Sequence, residues 1–281
     1  MPYTAVGYDV TMSDSIGSGY HFTKSYVGTG GISEVYGGLS FNICDWFALG
    51  ANVYYMFGKV DNTRSLAFSE SALANTTQKA LFTVSSVRFR YGAQFFHTLG
   101  DHSFALGGIF EAKQKLHSTY TAYETTLLDT VSSNNDGYEV PMVYGGGVSY
   151  TWVQRLTLAF DYQRQCMSGA LYEGQKGALS DRDRYSFGME YRHDPTGRRY
   201  VDRMEWRCGL NVANSYVLNN SAMDYTASIG VGFPLRTSAT VFNATLEYGH
   251  RGGRAMGLTE NSLRLILNAS ISENWFFKRK L

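Results

Sequence analysis

The chain has 281 residues, 44 % hydrophobic, 17 % charged and 15 % aromatic, with a net charge of +1. This balance excludes a disordered or strongly solvated chain, and a charge so near neutral gives no reason to expect a nucleic-acid partner. With 21 Tyr, 17 Phe and 30 Gly against only 4 Pro, the composition favours strands and turns over helices.

Read from the N-terminus, "MPYTAVGYDV" has neither the basic segment nor the apolar core of an export signal. The longest apolar run, "WFALGANVYYMFG" (46–58), falls short of the ~18 residues a membrane helix needs and contains Asn52. What the chain has instead is alternation. "VRFRYGAQF" (87–95) sets Val87, Phe89, Tyr91, Ala93 and Phe95 against Arg88, Arg90 and Gln94. "LTLAFDYQ" (156–163) sets Leu156, Leu158, Phe160 and Tyr162 against Thr157, Asp161 and Gln163. "YSFGMEYR" (185–192), "WRCGLNV" (206–212), "TVFNATLEY" (240–248) and "LRLILNASI" (263–271) repeat the pattern. Strict period two means strands with one apolar and one polar face.

About twelve such strands are expected, near 3–13, 31–43, 46–61, 80–97, 102–118, 139–151, 155–166, 183–193, 203–216, 223–233, 238–250 and 260–272. Many exceed the ~5–6 residues usual in soluble sheets and suit the ~9–11 residues of a tilted membrane strand plus an extension. "NICDW", "TLGDH", "TWVQR", "DPTGRR" and "FPLRTS" read as tight turns or short links. The intervening segments 14–30, 62–79, 119–138, 167–182 and 251–259 read as long polar loops, with 217–222 a short exception. Short turns at one end and long loops at the other are the layout of an outer-membrane barrel. The fold class expected is therefore all-β, a transmembrane antiparallel β-barrel forming one domain over 1–281.

Two sets of residues follow. Trp46, Trp152, Trp206, Trp275 and Phe276 cluster at the short-turn end, as a periplasmic-side aromatic girdle should, because indoles prefer the headgroup region. Arg88, Arg90, Glu111, Asp161, Glu190, Arg192, Arg207, Glu247 and Arg264 all fall on the face opposite the rings, so they are expected to line the lumen. There they serve as a selectivity lining or, the favoured reading, pair to brace the wall.

No catalytic group, metal or cofactor is expected. "GTGG" (28–31) and "GGG" (145–147) lack the Lys-Ser/Thr and helix of a phosphate loop. "SSNNDGYE" (132–139) lacks full calcium-loop spacing. His97 and His102 share no ligand cluster, and His250 with Ser262 has no supporting dyad spacing. Cys44, Cys166 and Cys208 form no C-x-x-C pair, and an odd count excludes a complete disulfide framework. Charged "DRDR" (181–184) and "GHRGGR" (249–254) lie near the long-loop rim, hydrated or facing lipopolysaccharide phosphates. Expected partners are outer-membrane lipid and lipopolysaccharide, with a hydrophobic small molecule as ligand; the oligomeric state is left open.

"SYVGTGGISEVYGGLSFNICDWFALGANVYYMFG" (25–58) and "ENSLRLILNASISENWFFKRKL" (260–281) resemble a divergent branch of the FadL-type outer-membrane transport proteins. The resemblance implies a 14-stranded barrel with an N-terminal plug, and passive uptake of hydrophobic molecules such as long-chain fatty acids. It implies entry from outside, apolar binding pockets and sideways exit into the membrane. Against that pattern the signal peptide, the plug with its Asn-Pro-Ala motif and the first two strands are expected to be missing from this stretch, so no binding residue is carried over. Two other readings stand beside uptake: a general porin or structural membrane protein, and an accessory barrel of a surface-secretion or attachment machine.

Overall fold

The computed structural model describes residues 2–16, 20–69, 73–125, 129–135, 137–172, 174–194, 197–216, 222–235, 240–253 and 258–270. The strands are β1 (Pro2–Ile16), β2 (Tyr20–Cys44), β3 (Phe47–Phe68), β4 (Thr76–Leu99), β5 (His102–Glu111), β6 (Gln114–Lys115), β7 (Ser118–Thr125), β8 (Asp129–Asn135) and β9 (Glu139–Val140). They continue as β10 (Met142–Trp152), β11 (Leu156–Cys166), β12 (Leu171–Tyr172), β13 (Gln175–Lys176), β14 (Arg182–Arg192), β15 (Glu205–Asn214), β16 (Met223–Pro234), β17 (Val241–Gly253) and β18 (Leu258–Ser270). Helix is confined to a 3-10 turn, Met167–Gly169, and one α-turn, α1 (Tyr200–Arg203), among the described residues.

One antiparallel sheet carries the fold, in the order β1-β2-β3-β4-β5-β10-β11-β14-β15-β16-β17-β18. Each strand on this path pairs with the next main strand in sequence, the meander expected of a transmembrane barrel. β1 and β18 are its two end strands among the described residues. The face assignment follows the pleat. Leu263, Leu265 and Leu267 of β18 are 70, 68 and 70 % exposed, and Tyr185, Phe187, Met189 and Tyr191 of β14 are likewise exposed, as are Phe242, Leu246 and Tyr248 of β17. A soluble sheet would bury such rows; on this barrel they form the hydrocarbon-facing surface. Among the described residues no helix is long and apolar enough to cross a membrane.

Three strands are taller than the sequence suggests. β2, β3 and β4 have 25, 22 and 24 residues, roughly 70–80 Å at ~3.3 Å per residue. Segments 14–30 and 62–79, expected as loops, are largely strand, and 119–138 contains the hairpin β7–β8, which pairs with the top of β4. The expected strand 102–118 stops at Glu111. There β5 leaves β4: the β4–β5 ladder spans Tyr91–Leu99 and the β4–β7 ladder Thr77–Val84, with Ser85 N donating to His117 O at 3.0 Å between them. Residues 112–117 turn off this fork, and Leu116 packs with Ile32, Met56, Val60 and Val84. The tight turn or short link expected at "DPTGRR" belongs to a longer connection between β14 and β15 that contains α1, with Pro195 and Thr196 outside the described residues. Gly30 (φ +105°) meets β3 so closely that a Cβ would lie 2.2 Å from Lys59 O; only glycine enters that backbone region freely.

Candidate functional site: two chambers in the lumen

The inward pleat of β1–β4 and the segments folded above β5 enclose a largely apolar chamber of about 950 Å³ at the long-loop end. Its wall includes Val6, Ile32, Met56, Val60, Phe82 and Leu116. Tyr138 packs on Phe82 (ring centroids 4.5 Å apart) and on Tyr172 (5.4 Å). Segment 167–180 lies against this chamber, contributing Met167, Ala170, Leu171, Tyr172 and Leu179. Polar bonds hold it: Leu171 N donates to Glu139 Oε2 at 3.1 Å, and Lys113 Nζ reaches both Gly169 O and Glu139 Oε2 at 3.3 Å.

A second tether sits at the rim. Asp181 Oδ1 accepts from Ser168 Oγ (2.6 Å) and Ser168 N (3.0 Å), and Arg164 Nη2 donates to Oδ2 at 2.9 Å. The Ser168 hydroxyl, above all, holds this carboxyl below the usual carboxylate range, with the Ser168 amide and Arg164 adding to it against the opposing effect of burial. A depressed folded-state pKa gives stability that is present above the unfolded value, ~3.9, and lost as pH falls through the folded one. Amide exchange at Ser168 should therefore be constant from pH 8 to 5 after correction for intrinsic rates, and accelerate below about pH 4. Asp181→Ala should show the faster exchange at neutral pH.

Nearer the short-turn end lies a second chamber of about 880 Å³, of mixed lining, walled by β2–β5, β10, β11 and β14. Asn52, Arg90, Gln94, Asp161, Gln163 and Ser186 line it. Glycines make room for two of these side chains: a Cβ on Gly38 would lie 1.9 Å from Asn52 Oδ1, and one on Gly147 2.0 Å from Asp161 Oδ1.

Between the chambers, on the wall, lies a buried ionic cluster. Arg88 donates from Nη2 to Glu34 Oε2 at 2.6 Å and from Nη1 to Glu111 Oε1 at 2.7 Å. Arg90 Nη2 reaches Glu111 Oε2 at 3.1 Å. The Arg88 guanidinium stands 4.1 Å from the Tyr54 ring centroid and 5.5 Å from that of Tyr3, within cation–π range. Arg90 lines the inner chamber and Tyr3 the outer one.

The other lumen-side charges form separate groups. Glu190, Arg192 and Arg207 join through Glu205, which bonds both arginines, and Arg207 Nε reaches Glu190 Oε2 at 2.8 Å. Arg264 Nη1 lies 3.4 Å from Glu247 Oε1. Asp161 makes no ion pair among the described residues. Glu34 and Glu205 are lumen-side carboxylates beyond the expected set; Glu34 has no charge two residues to either side, whereas Glu205 stands between Arg203 and Arg207, an alternation that could have marked it. Trp46, Trp152 and Trp206 lie at the short-turn end, 51, 46 and 48 % exposed; Trp275 and Phe276 lie outside the described residues. His250 faces outward and bonds Asn261 Oδ1 at 2.7 Å, whereas Ser262 pairs with Gly249 on the inward phase.

A family model described as BamG matches residues 1–281. The chain belongs to the BamG family. No curated protein matches the sequence of this BamG-family barrel. Among solved structures it is similar to a FadL homologue of Pseudomonas aeruginosa: TM-score 0.56, 13 % identity, covering 92 % of this chain and 75 % of that one. It is also similar to the toluene transporter TbuX of Ralstonia pickettii: TM-score 0.55, 13 % identity, covering 92 % of this chain and 79 % of that one. At this identity the likeness is one of fold. The FadL-type resemblance read from the sequence thus holds for the architecture, and the BamG family is a different one.

Proposed function

We propose that this protein is an outer-membrane barrel of a diderm bacterium that passes small hydrophobic molecules passively, with long-chain fatty acids the class the FadL-type resemblance suggests. The long-loop end faces outward in this reading. The observation that carries it is the outer chamber: about 950 Å³, within the ~300–1,000 Å³ of ordinary ligand sites, with a largely aliphatic and aromatic wall to which Arg64, Lys79, Glu124 and Glu139 add polar groups. The fork at Glu111, where β5 leaves β4, interrupts the ladder beside this chamber and is where a sideways exit would lie. Cells carrying the protein should take up labelled oleate faster than cells lacking it. Filling the chamber with Met56→Trp should remove the difference while leaving the barrel folded, as judged by its heat-dependent gel mobility. Equal uptake with and without the protein would end the transport reading.

A second reading, an accessory barrel of a surface-secretion or attachment machine, draws support from the tall wall of β2–β4, which offers contact area above the bilayer that a simple pore does not need. It predicts a protein that copurifies in mild detergent and is lost when β7–β8 is deleted; a lone species would count against it.

A further inference from the structure

The feet of β10, β11, β14 and β15 carry a feature that neither chamber uses. Residues 193–204 fold back on themselves at this end: Asp194 N donates to Asp202 O at 2.8 Å and Gly197 N to Asp194 O at 3.1 Å. Tyr200 and Val201, the latter 63 % exposed, stand in the link that joins the ends of β14 and β15, where the outward-facing Tyr191 and Trp206 pair. The next turn is joined to it, because Arg192 N donates to Arg155 O at 2.7 Å, and it brings in outward-facing Trp152. Arg155, Arg198 and Arg199 are exposed, and none makes an ion pair among the described residues. The charges inside the barrel behave otherwise, since most are paired.

We propose that this foot is a binding site for anionic phospholipid headgroups. Three observations converge. First, the surface is continuous with the lipid-facing band, because Trp152, Tyr191 and Trp206 lie on the outward phase of their own strands. Second, rings and an aliphatic sit next to unpaired cations, so the acyl–headgroup boundary solvates both at once. Third, guanidinium forks match phosphate oxygens in geometry and charge. An acidic protein segment would satisfy the arginines but would leave Val201 and the ring faces against water or a second surface.

The test uses the whole purified protein in nanodiscs of phosphatidylcholine doped with phosphatidylglycerol, with retained lipid counted by native mass spectrometry after detergent release. The native protein should retain phosphatidylglycerol in preference to phosphatidylcholine. The triple variant Arg155→Gln/Arg198→Gln/Arg199→Gln should lose that preference, by about fivefold for each arginine removed. Arg251→Gln, at the long-loop end, should keep it. Heat-dependent gel mobility checks that each variant is folded. No preference in the native protein, or an unchanged preference in the triple variant, overturns the proposal. So does loss of a copurifying protein from the triple variant with lipid retention unchanged, which would make the foot a protein interface.

Discussion

Arg88→Met should destabilise the barrel by about 3–5 kcal/mol, read as a shift of the guanidinium unfolding midpoint in detergent or vesicles. The Arg88 side chain is 6 % exposed and its partners Glu34 and Glu111 are 4 % and 2 % exposed. Methionine matches much of the volume and packs against Tyr54, so little of the loss comes from a cavity. What it removes is the guanidinium that two buried carboxylates share, and a buried charge without its partner is far costlier than the pair is beneficial. Glu111 keeps Arg90 at 3.1 Å, so the effect should be smaller than that of stranding an isolated carboxylate. Arg90→Met should cost less, since Arg90 is 30 % exposed and reaches a chamber where water screens it. The decisive comparison is the triple variant Glu34→Gln/Arg88→Met/Glu111→Gln. Neutralising the three buried members should recover most of the loss, because the one charge left without its partner, Arg90, is 30 % exposed and screened by water. The Nε of Arg88 is buried without a hydrogen-bond partner, so even the native cluster is imperfectly compensated. A cost below about 1 kcal/mol for Arg88→Met would mean that water fills the lumen at this level.

The parts of this fold legible in the sequence are those where lipid imposes a rule. At 87–95 and 185–192 every second side chain meets hydrocarbon, so the period-two signal is nearly free of exceptions; the strand expected at 183–193 comes out within a residue of its ends, whereas the one expected at 80–97 begins four residues earlier, at Thr76. Above the bilayer the rule lapses. Residues 20–30, "YHFTKSYVGTG", form part of β2 between β1 and β3, with Phe22 buried and 23–27 half-buried. The apolar alternation fades there while the ladder continues, and a strand was taken for a loop. The fork at Glu111 was equally hidden: nothing in "GGIFEAKQKLHS" separates a straight strand from one that leaves its neighbour, because the choice is made by Leu116 packing among side chains distant in sequence. The inward charges could be assigned to the lumen, but not to their partners. Pairing depends on register across several strands, and Glu34 meets Arg88 over the intervening β3. The folded link at 193–204 was masked by Pro195 and Gly197, which suggest a turn whether or not a longer excursion follows.

The face assignment can be tested with neighbouring residues on one strand. Phe187 sits midway along β14, outward and 45 % exposed, while Ser186 points the other way, lines the inner chamber and donates to Asn211 Oδ1 at 2.6 Å. Phe187→Arg should destabilise the folded barrel by about 2–4 kcal/mol in vesicles, the cost of an arginine near the bilayer midplane. Ser186→Arg loses one hydrogen bond, about 0.5–1.5 kcal/mol, but sets its charge in a watery bore beside Asp161, which has no ion pair among the described residues and can recover part of that loss. The two substitutions add the same side chain one residue apart, so helix or strand propensity, chain entropy and net charge nearly cancel in the comparison. What remains is the difference between hydrocarbon and water on the two sides of one sheet. The gap should narrow in detergent micelles, where an outward arginine finds headgroups and water nearby, and reopen on return to vesicles. A reversed order, with Ser186→Arg the costlier change in vesicles, would put the rings in a dry core and the charges on the outside, and the transmembrane assignment would fail with it.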